Sequence, residues 1–273
     1  MASAEPKEAE PKEGVPEGAV PTLADLPNER ITFAHVAHPS FPGVDASAAE
    51  WSEFLLSNID DTNESLFYGI GEVPILSPAG CALLSARTAP LLGRGGAGVG
   101  SMHSYGVDLL QAFPVLLKEL GERLKPLFAN LFRPPAAPQP HLDLYSAHAI
   151  GYGQGPTREK ALKLHVDAST FTATICVTAT PDLRGTQLVF HGQQPLLHPR
   201  LEELQAVFAR ARRSAGVDVR QMDDARNHVQ KLPRAGHALL HLGKHPHRTL
   251  PVEAGERHSW VLWWTEGEGA GQA

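Results

Sequence analysis

Cysteine is scarce: the 273 residues include two, Cys81 and Cys176. Two thiols build neither a disulfide framework nor a cluster of metal thiolates, which excludes iron–sulfur clusters and zinc ribbons and points to a reducing compartment. Long apolar runs are missing as well. None approaches the roughly 20 residues of a membrane helix, and Met1 to Pro21 is acidic and proline-rich, with no basic n-region or apolar h-region. A cytoplasmic or nuclear location without a membrane partner is the expectation. A basic excess is also lacking. Net charge is −6, and five Glu against two Lys in residues 1–18 account for half of it. The near balance of the remainder disfavours nucleic acid as a partner, and the local run Arg210, Arg212 and Arg213 reads as the solvated face of a helix. Neither a Walker A lysine nor a Gly-x-Ser-x-Gly elbow occurs.

What is present suffices for a sizeable core: 42% of residues are hydrophobic and 20% charged. Ala-Glu-Pro-Lys-Glu stands twice between residues 4 and 13, and Pro6, Pro11, Pro16 and Pro21 recur every five residues. Such a composition neither nucleates helix nor buries apolar surface, so residues 1–22 are expected to be a disordered tail, as are the Gly- and Glu-rich residues 266–273. Between them a single domain spans 23–265. Its part 23–135 reads as a helical support. Ser47 to Ile59 opens with a possible capping box, Ser47 and Glu50, and repeats Trp51, Phe54, Leu55 and Ile59 at helical spacing. Val107 to Phe132 has the same periodicity, with Pro114 and Pro126 as potential breaks. Leu66 to Leu76 reads as a strand.

From residue 141 to 265 the pattern changes to short alternating or apolar runs between turn residues, with strands expected near 143–152, 161–166, 171–179, 185–191, 236–242, 247–252 and 257–265. An insertion over 192–230 interrupts them and carries an amphipathic helix, Leu201 to Ser214. The fold class expected is α+β, with a double-sheet barrel behind N-terminal supporting helices.

Gly93-Arg94-Gly95-Gly96-Ala97-Gly98 satisfies a dinucleotide-binding pattern, but a helical reading precedes it where that motif needs a strand, so it is taken as a loop. His165-Val166-Asp167 is more informative. Residues i and i+2 of a strand share a face, which sends an imidazole and a carboxylate together into the barrel, two thirds of the facial triad that holds ferrous iron with open positions. About one or two His-x-acid matches arise by chance in such a composition, and His141-Leu142-Asp143 is a decoy of that kind. A third ligand would come from His237, His241, His245 or His247. Periodicity alone leaves that choice open.

The order His165-x-Asp167, Gly185 to Phe190, then His247 with Pro251-Val252 and Gly255-x-Arg257 before the apolar strand Trp260 to Trp264, resembles the prolyl and lysyl hydroxylase branch of the iron(II)- and 2-oxoglutarate-dependent oxygenases. His165 to Val177 is similar to the lysyl hydroxylase segment, above all in His165-x-Asp167-Ala168-Ser169-Thr170-Phe171-Thr172. The stretch from Tyr105 to Leu262 is similar to the 2-oxoglutarate and iron-dependent oxygenase domain-containing proteins. The resemblance implies a double-stranded β-helix, or jelly roll, with His165, Asp167 and His247 as Fe(II) ligands, Arg257 on the far carboxylate of 2-oxoglutarate, and Tyr152 lining the cosubstrate pocket. These four, His165, Asp167, His247 and Arg257, are then the catalytic set. It also implies O2 as co-reactant and brings L-ascorbate, as a reductant of oxidised iron, among the cofactors to be considered. The activity implied is hydroxylation of a C–H bond, with a prolyl or lysyl side chain of a protein or peptide as target and release of succinate and CO2. Two alternatives stand beside it: hydroxylation of a free amino acid or small metabolite, and a catalytically silent β-helix that serves as a binding module. A zinc or nickel barrel of the cupin type would use the histidines but leave Arg257 without a purpose. His241 is read as a core or supporting histidine, and His245 and His258 as surface ones. His191 and His198 are expected to be solvated or to face substrate.

Overall fold

The computed structural model describes residues 26–43, 45–58, 68–92, 106–133, 141–192, 194, 197, 228–232 and 234–267. Residues 1–22 of the N-terminal tail, 268–273 of the C-terminal one, the glycine motif at 93–98, His198 and the helix expected over 201–214 lie outside them, whereas Glu266, expected in the C-terminal tail, ends the last strand.

Among the described residues, three α-helices come from the first half of the chain. α1, Ala48–Ser57, starts at the Ser47 and Glu50 capping box, which is fully formed. α2, Pro78–Thr88, has Pro at its first position and the Ser77 side chain accepting from the Gly80 amide. α3, Pro114–Phe132, buries one face made of Leu116, Leu117, Leu120, Leu124, Leu127, Phe128 and Leu131. The helical pattern from Val107 is corrected at its start. Val107–Asp108 forms a short strand, and the helix waits for Pro114, whose fixed φ and missing amide suit a first turn. Pro126 lies inside α3 without ending it. The lost hydrogen bond and ring clash, a cost of about 3 kcal/mol, are offset by the apolar face, which packs on both sides of the proline.

The described residues form twelve strands in chain order: β1 Gly71–Pro74, β2 Val107–Asp108, β3 Leu142–Tyr152, β4 Leu162–His165, β5 Phe171–Ala179, β6 Arg184–Gly185, β7 Leu188–His191, β8 His228–Lys231, β9 His237–Leu242, β10 His247–Thr249, β11 Val252–Ala254 and β12 Arg257–Glu266. They form a six-stranded sheet ordered β1-β9-β5-β12-β3-β2, a four-stranded sheet ordered β4-β10-β7-β8, and the pair β11-β6. Every ladder is antiparallel. This is the expected jelly roll, with β1 and β2 added to the edges of the larger sheet from within the helical half. The reading 185–191 divides at Gly185 and Thr186, both at positive φ (79° and 59°), and 247–252 divides before Pro251, which has no amide for a ladder. β8 has no counterpart among the expected strands.

Period-two alternation sorts the larger sheet into two faces. Ala173, Ile175, Val177, Trp260, Leu262 and Trp264 join the helices in the main core. Thr172, Thr174, Ser259 and Val261 take the opposite parity and face the barrel interior, where Val261 meets Ile150, Tyr152, Leu162 and Val252. Phe128 ties helix to sheet: it is fully buried, stacks on Phe171 at 4.8 Å and meets Trp264 edge-on at 5.0 Å. Phe128→Ala is therefore expected to lower the unfolding free energy by about 3–5 kcal/mol in denaturant titration. Val115→Ala, on the solvent side of the same helix, should stay within about 0.5 kcal/mol.

Candidate metal centre and anion pocket

The end of β4 and the two residues after it invert the usual rule of strands: Leu164 and Val166 are 58% and 54% exposed, while Asp167 is buried and His165 partly buried. A segment that turns its polar residues inward is shaped by its site and not by the core. β10 lies directly beside it, with His247 opposite His165. The two rings are 4.3 Å apart between centroids, and Phe190 on the next strand stacks on His247 at 5.4 Å. One ligand atom each from His165, Asp167 and His247 can be chosen so that all lie within 4.8 Å of one another. His165 Nε2 is 3.6 Å and His247 Nε2 3.8 Å from Asp167 Oδ1.

The hydrogen bonds fix what these atoms can do. His165 Nδ1 donates to the Lys163 carbonyl at 2.7 Å, and His247 Nδ1 donates to the His245 carbonyl at 2.9 Å. A carbonyl only accepts, so each ring carries its hydrogen on Nδ1 and, when neutral, presents the Nε2 lone pair to Asp167. Imidazoles oriented in this way are the usual metal ligands. Burial alone would raise the pKa of Asp167. His165, His247, His241 and the Thr172 hydroxyl outweigh it and hold the carboxyl well below its ordinary range. Burial lowers His247 below the ordinary histidine value, whereas at His165 it is overcome by Asp167 and the Lys163 carbonyl, and the pKa rises. Two imidazole nitrogens, each with a lone pair when neutral, and one anionic oxygen form a donor set that fits a ferrous ion.

Arg257 supplies the opposite charge in the same interior. It is 1% exposed, and its Nη1 donates to the Thr186 carbonyl at 2.8 Å. The guanidinium lies over the ring of Tyr152, its neighbour across β3 and β12, at 4.4 Å. Nε and Nη2 are buried and make no hydrogen bond, and among the described residues no carboxylate pairs with this arginine. The hydroxyls of Thr186 and Ser259 are buried without partners as well. A buried cation with two idle donors is suited to receive an anion. The Thr249 side chain is within hydrogen-bonding reach of Tyr152, and Thr249 stands two residues beyond His247 on the same face of β10, about 7 Å along the strand. Tyr152 thus connects the arginine to the imidazole pair.

All five sequence-predicted site residues face this interior. His241 is fully buried, as a core position requires, with Nδ1 donating to the Leu242 carbonyl at 3.0 Å and Nε2 4.0 Å from Asp167 Oδ2. Burial, reinforced by His247, pushes its pKa down to about 3. His245 and His258 are corrected: they are 0% and 8% exposed and not at the surface. His245 Nε2 donates to the Gly192 carbonyl at 3.1 Å, and its ring rests on Phe190. His237 is partly exposed at the far end of β9, and the decoy pair His141 and Asp143 is exposed. Thr172, Thr186 and Ser259 were missed. A signal existed for Ser259, which lies two residues after Arg257 on one strand face.

No family model matches the chain, and no curated protein matches it in sequence. Solved structures do match in fold. An oxidoreductase of the 2OG-Fe(II) oxygenase family from Burkholderia pseudomallei is similar at 15% identity and a TM-score of 0.50, over 85% of this chain and 98% of that one. The non-heme alpha-ketoglutarate-dependent epimerase SnoN of nogalamycin biosynthesis is similar at 14% identity and a TM-score of 0.50, over 81% of this chain and 82% of that one. The chain has the double-stranded β-helix fold of these proteins.

A charge buried without a partner destabilises the free protein. Arg257→Met, which keeps the stem and removes the guanidinium, is expected to raise the ligand-free unfolding free energy by about 1–3 kcal/mol. Denaturant melts of both proteins check this, and a destabilised variant would show that the Thr186 hydrogen bond and the Tyr152 contact outweigh the cost of the buried charge.

Proposed function

We propose that the protein is an Fe(II)- and 2-oxoglutarate-dependent dioxygenase that hydroxylates a C–H bond. His165, Asp167 and His247 hold the iron, and Arg257 and Tyr152 hold the cosubstrate. The observation that carries this reading is the joint presence, inside one barrel, of a two-histidine, one-carboxylate cluster and a buried arginine with idle donors. When bound, iron with 2-oxoglutarate and O2 supplies the oxidising power, converting the cosubstrate to succinate and CO2 as the substrate gains a hydroxyl.

The residues divide the work. His165 and His247 would each give the metal an Nε2 lone pair and Asp167 one negative charge, a donor set small enough to leave room for a chelating 2-oxo acid and O2. Arg257, charged at any working pH, offers Nε and Nη2 to the far carboxylate, with Thr186 and Ser259 to complete its hydrogen bonds. Tyr152 covers the guanidinium and keeps water from it. Burial raises the phenol pKa although Arg257 pulls it down, so the tyrosine stays neutral and does not compete with the anionic cosubstrate for the arginine.

The likeness of His165 to Thr172 to the lysyl hydroxylase segment supports a prolyl or lysyl side chain as target. A second reading, a small metabolite, is supported by SnoN, whose solved complex holds Fe3+, alpha-ketoglutarate and nogalamycin RO and is similar to this chain at a TM-score of 0.50. Both targets use the same iron and cosubstrate site.

Titration of the anaerobic protein with Fe(II) and then 2-oxoglutarate tests the site without knowledge of the substrate. We expect the weak visible charge-transfer band of the chelate in the wild type, its disappearance in Asp167→Ala, and in Arg257→Ala a demand for about 100-fold more cosubstrate, equivalent to the loss of one charge-assisted pair. A wild type that binds no iron, or a band indifferent to both substitutions, overturns the assignment.

A further inference from the structure

Asp167 has two carboxylate oxygens, and the protein treats them differently. Oδ1 faces His165 and His247. Oδ2 accepts a 2.7 Å hydrogen bond from the hydroxyl of Thr172, a fully buried residue on β5. Ser169 Oγ lies 2.8 Å from the same hydroxyl oxygen. Because the single hydrogen of Thr172 is committed to the carboxylate, Ser169 must be the donor of that second bond, and the relay runs from Ser169 to Thr172 to Asp167.

His241 is the other polar group against Oδ2, with Nε2 at 4.0 Å. Its Nδ1 hydrogen is engaged by the Leu242 carbonyl, so a neutral ring turns a lone pair toward the oxygen and offers no hydrogen bond. Thr172 is therefore the donor that fixes this side of the carboxylate. The backbone around it is clamped as well. The Asp167 amide donates to the Gly243 carbonyl at 2.9 Å, the Gly243 amide to the Thr170 carbonyl at 3.0 Å, and the Thr170 amide to the Trp264 carbonyl at 2.8 Å. A Cβ at Gly243 would stand 2.0 Å from the Ser169 carbonyl oxygen, so only glycine admits this approach. Tyr145 adds a hydrogen bond to the Ala168 carbonyl.

We propose that Thr172, supported by Ser169, is a positioning residue that makes Asp167 a one-oxygen ligand and so keeps open the position that the cosubstrate needs. The inference rests on the iron-site reading above. It gives a physical role to Ser169 and Thr172 within Ala168-Ser169-Thr170-Phe171-Thr172. With Oδ2 tied to the larger sheet, Asp167 gives a metal only Oδ1. With Oδ2 released, both oxygens can close on the metal, and a chelating 2-oxo acid then competes with the protein for a position.

Thr172→Val keeps the branched shape and removes the hydroxyl, and Thr172→Ser restores it. Co(II) serves as the optical probe, followed by 2-oxoglutarate titrated into the Co(II)-loaded protein. We expect Thr172→Val to bind Co(II) with a visible spectrum changed from that of the wild type, and to bind 2-oxoglutarate about 10- to 100-fold more weakly. Thr172→Ser should return to within about threefold of wild type, a separation of metal from cosubstrate affinity that a loss of packing would not produce. A folded Thr172→Val with wild-type spectrum and 2-oxoglutarate affinity overturns the proposal. If that variant fails to fold, Ser169→Ala decides: an affinity loss of about threefold or more supports the relay, and none overturns it. Failure of the wild type to bind Co(II) is a different result, which removes the iron-site reading and this inference with it.

Discussion

Two charges of opposite sign lie inside one barrel without touching each other, and the rest of the molecule is organised to keep them there. Asp167 has a 3% exposed side chain, Arg257 is 1% exposed as a residue, and the two form no ion pair. Each alone carries a desolvation penalty of several kcal/mol in the ligand-free protein. Arg257 is set in the long ladder of β12 between β3 and β5, while Asp167 is bound through Thr172 and the Gly243 backbone. The energy that pairing them would release remains available for ligands.

The division of labour between the sheets follows. The smaller sheet carries His165 and His247 side by side on β4 and β10, and the larger carries Thr172, Tyr152 and Arg257. Neither sheet alone holds a complete site, so the helical layer that fixes the larger sheet acts on the chemistry at one remove. Thr186 belongs to the same account. It sits at a φ of 59°, which a β-branched residue rarely adopts, and its carbonyl is the acceptor that orients Arg257 Nη1. Gly185 before it, at φ 79°, would place a Cβ 2.0 Å from the Pro251 carbonyl oxygen. The sharp turn that splits β6 from β7 thus aims a carbonyl at the arginine, with local strain held in place by the surrounding strands.

Much of this is written in local patterns. The strands from residue 141 onward show in their alternation, the α1 cap in Ser47 and Glu50, and the inward pair His165 and Asp167 in their spacing of two. What escaped has a physical reason in each case. β2 is two residues long and β8 four, too short for a period to emerge, and both are strands because a neighbour offers free backbone groups. Pro126 reads as a helix break, yet the face of α3 has enough apolar contact to override it. His245 and His258 read as surface residues on polarity alone. Their burial depends on Gly192, Phe190 and the neighbours of β12, all distant in sequence or set by register.

Choosing His247 over three other histidines exposes the same limit. The family-like spacing to Arg257 selects it, whereas side-chain parity also admits His245. Only the ladder between β10 and β4 separates the two, because it sets His247 opposite His165 and leaves His245 outside the strand. His241 tests the distinction from the other side. It is the most buried kind of histidine, near Asp167, and by composition as good a ligand as its neighbours. What separates it is the oxygen it faces. His165 and His247 converge on Oδ1, whereas His241 addresses Oδ2, which Thr172 already occupies. A hydroxyl five residues beyond the aspartate thus engages the oxygen that His241 faces and leaves the oxygen on which His165 and His247 converge without that bond.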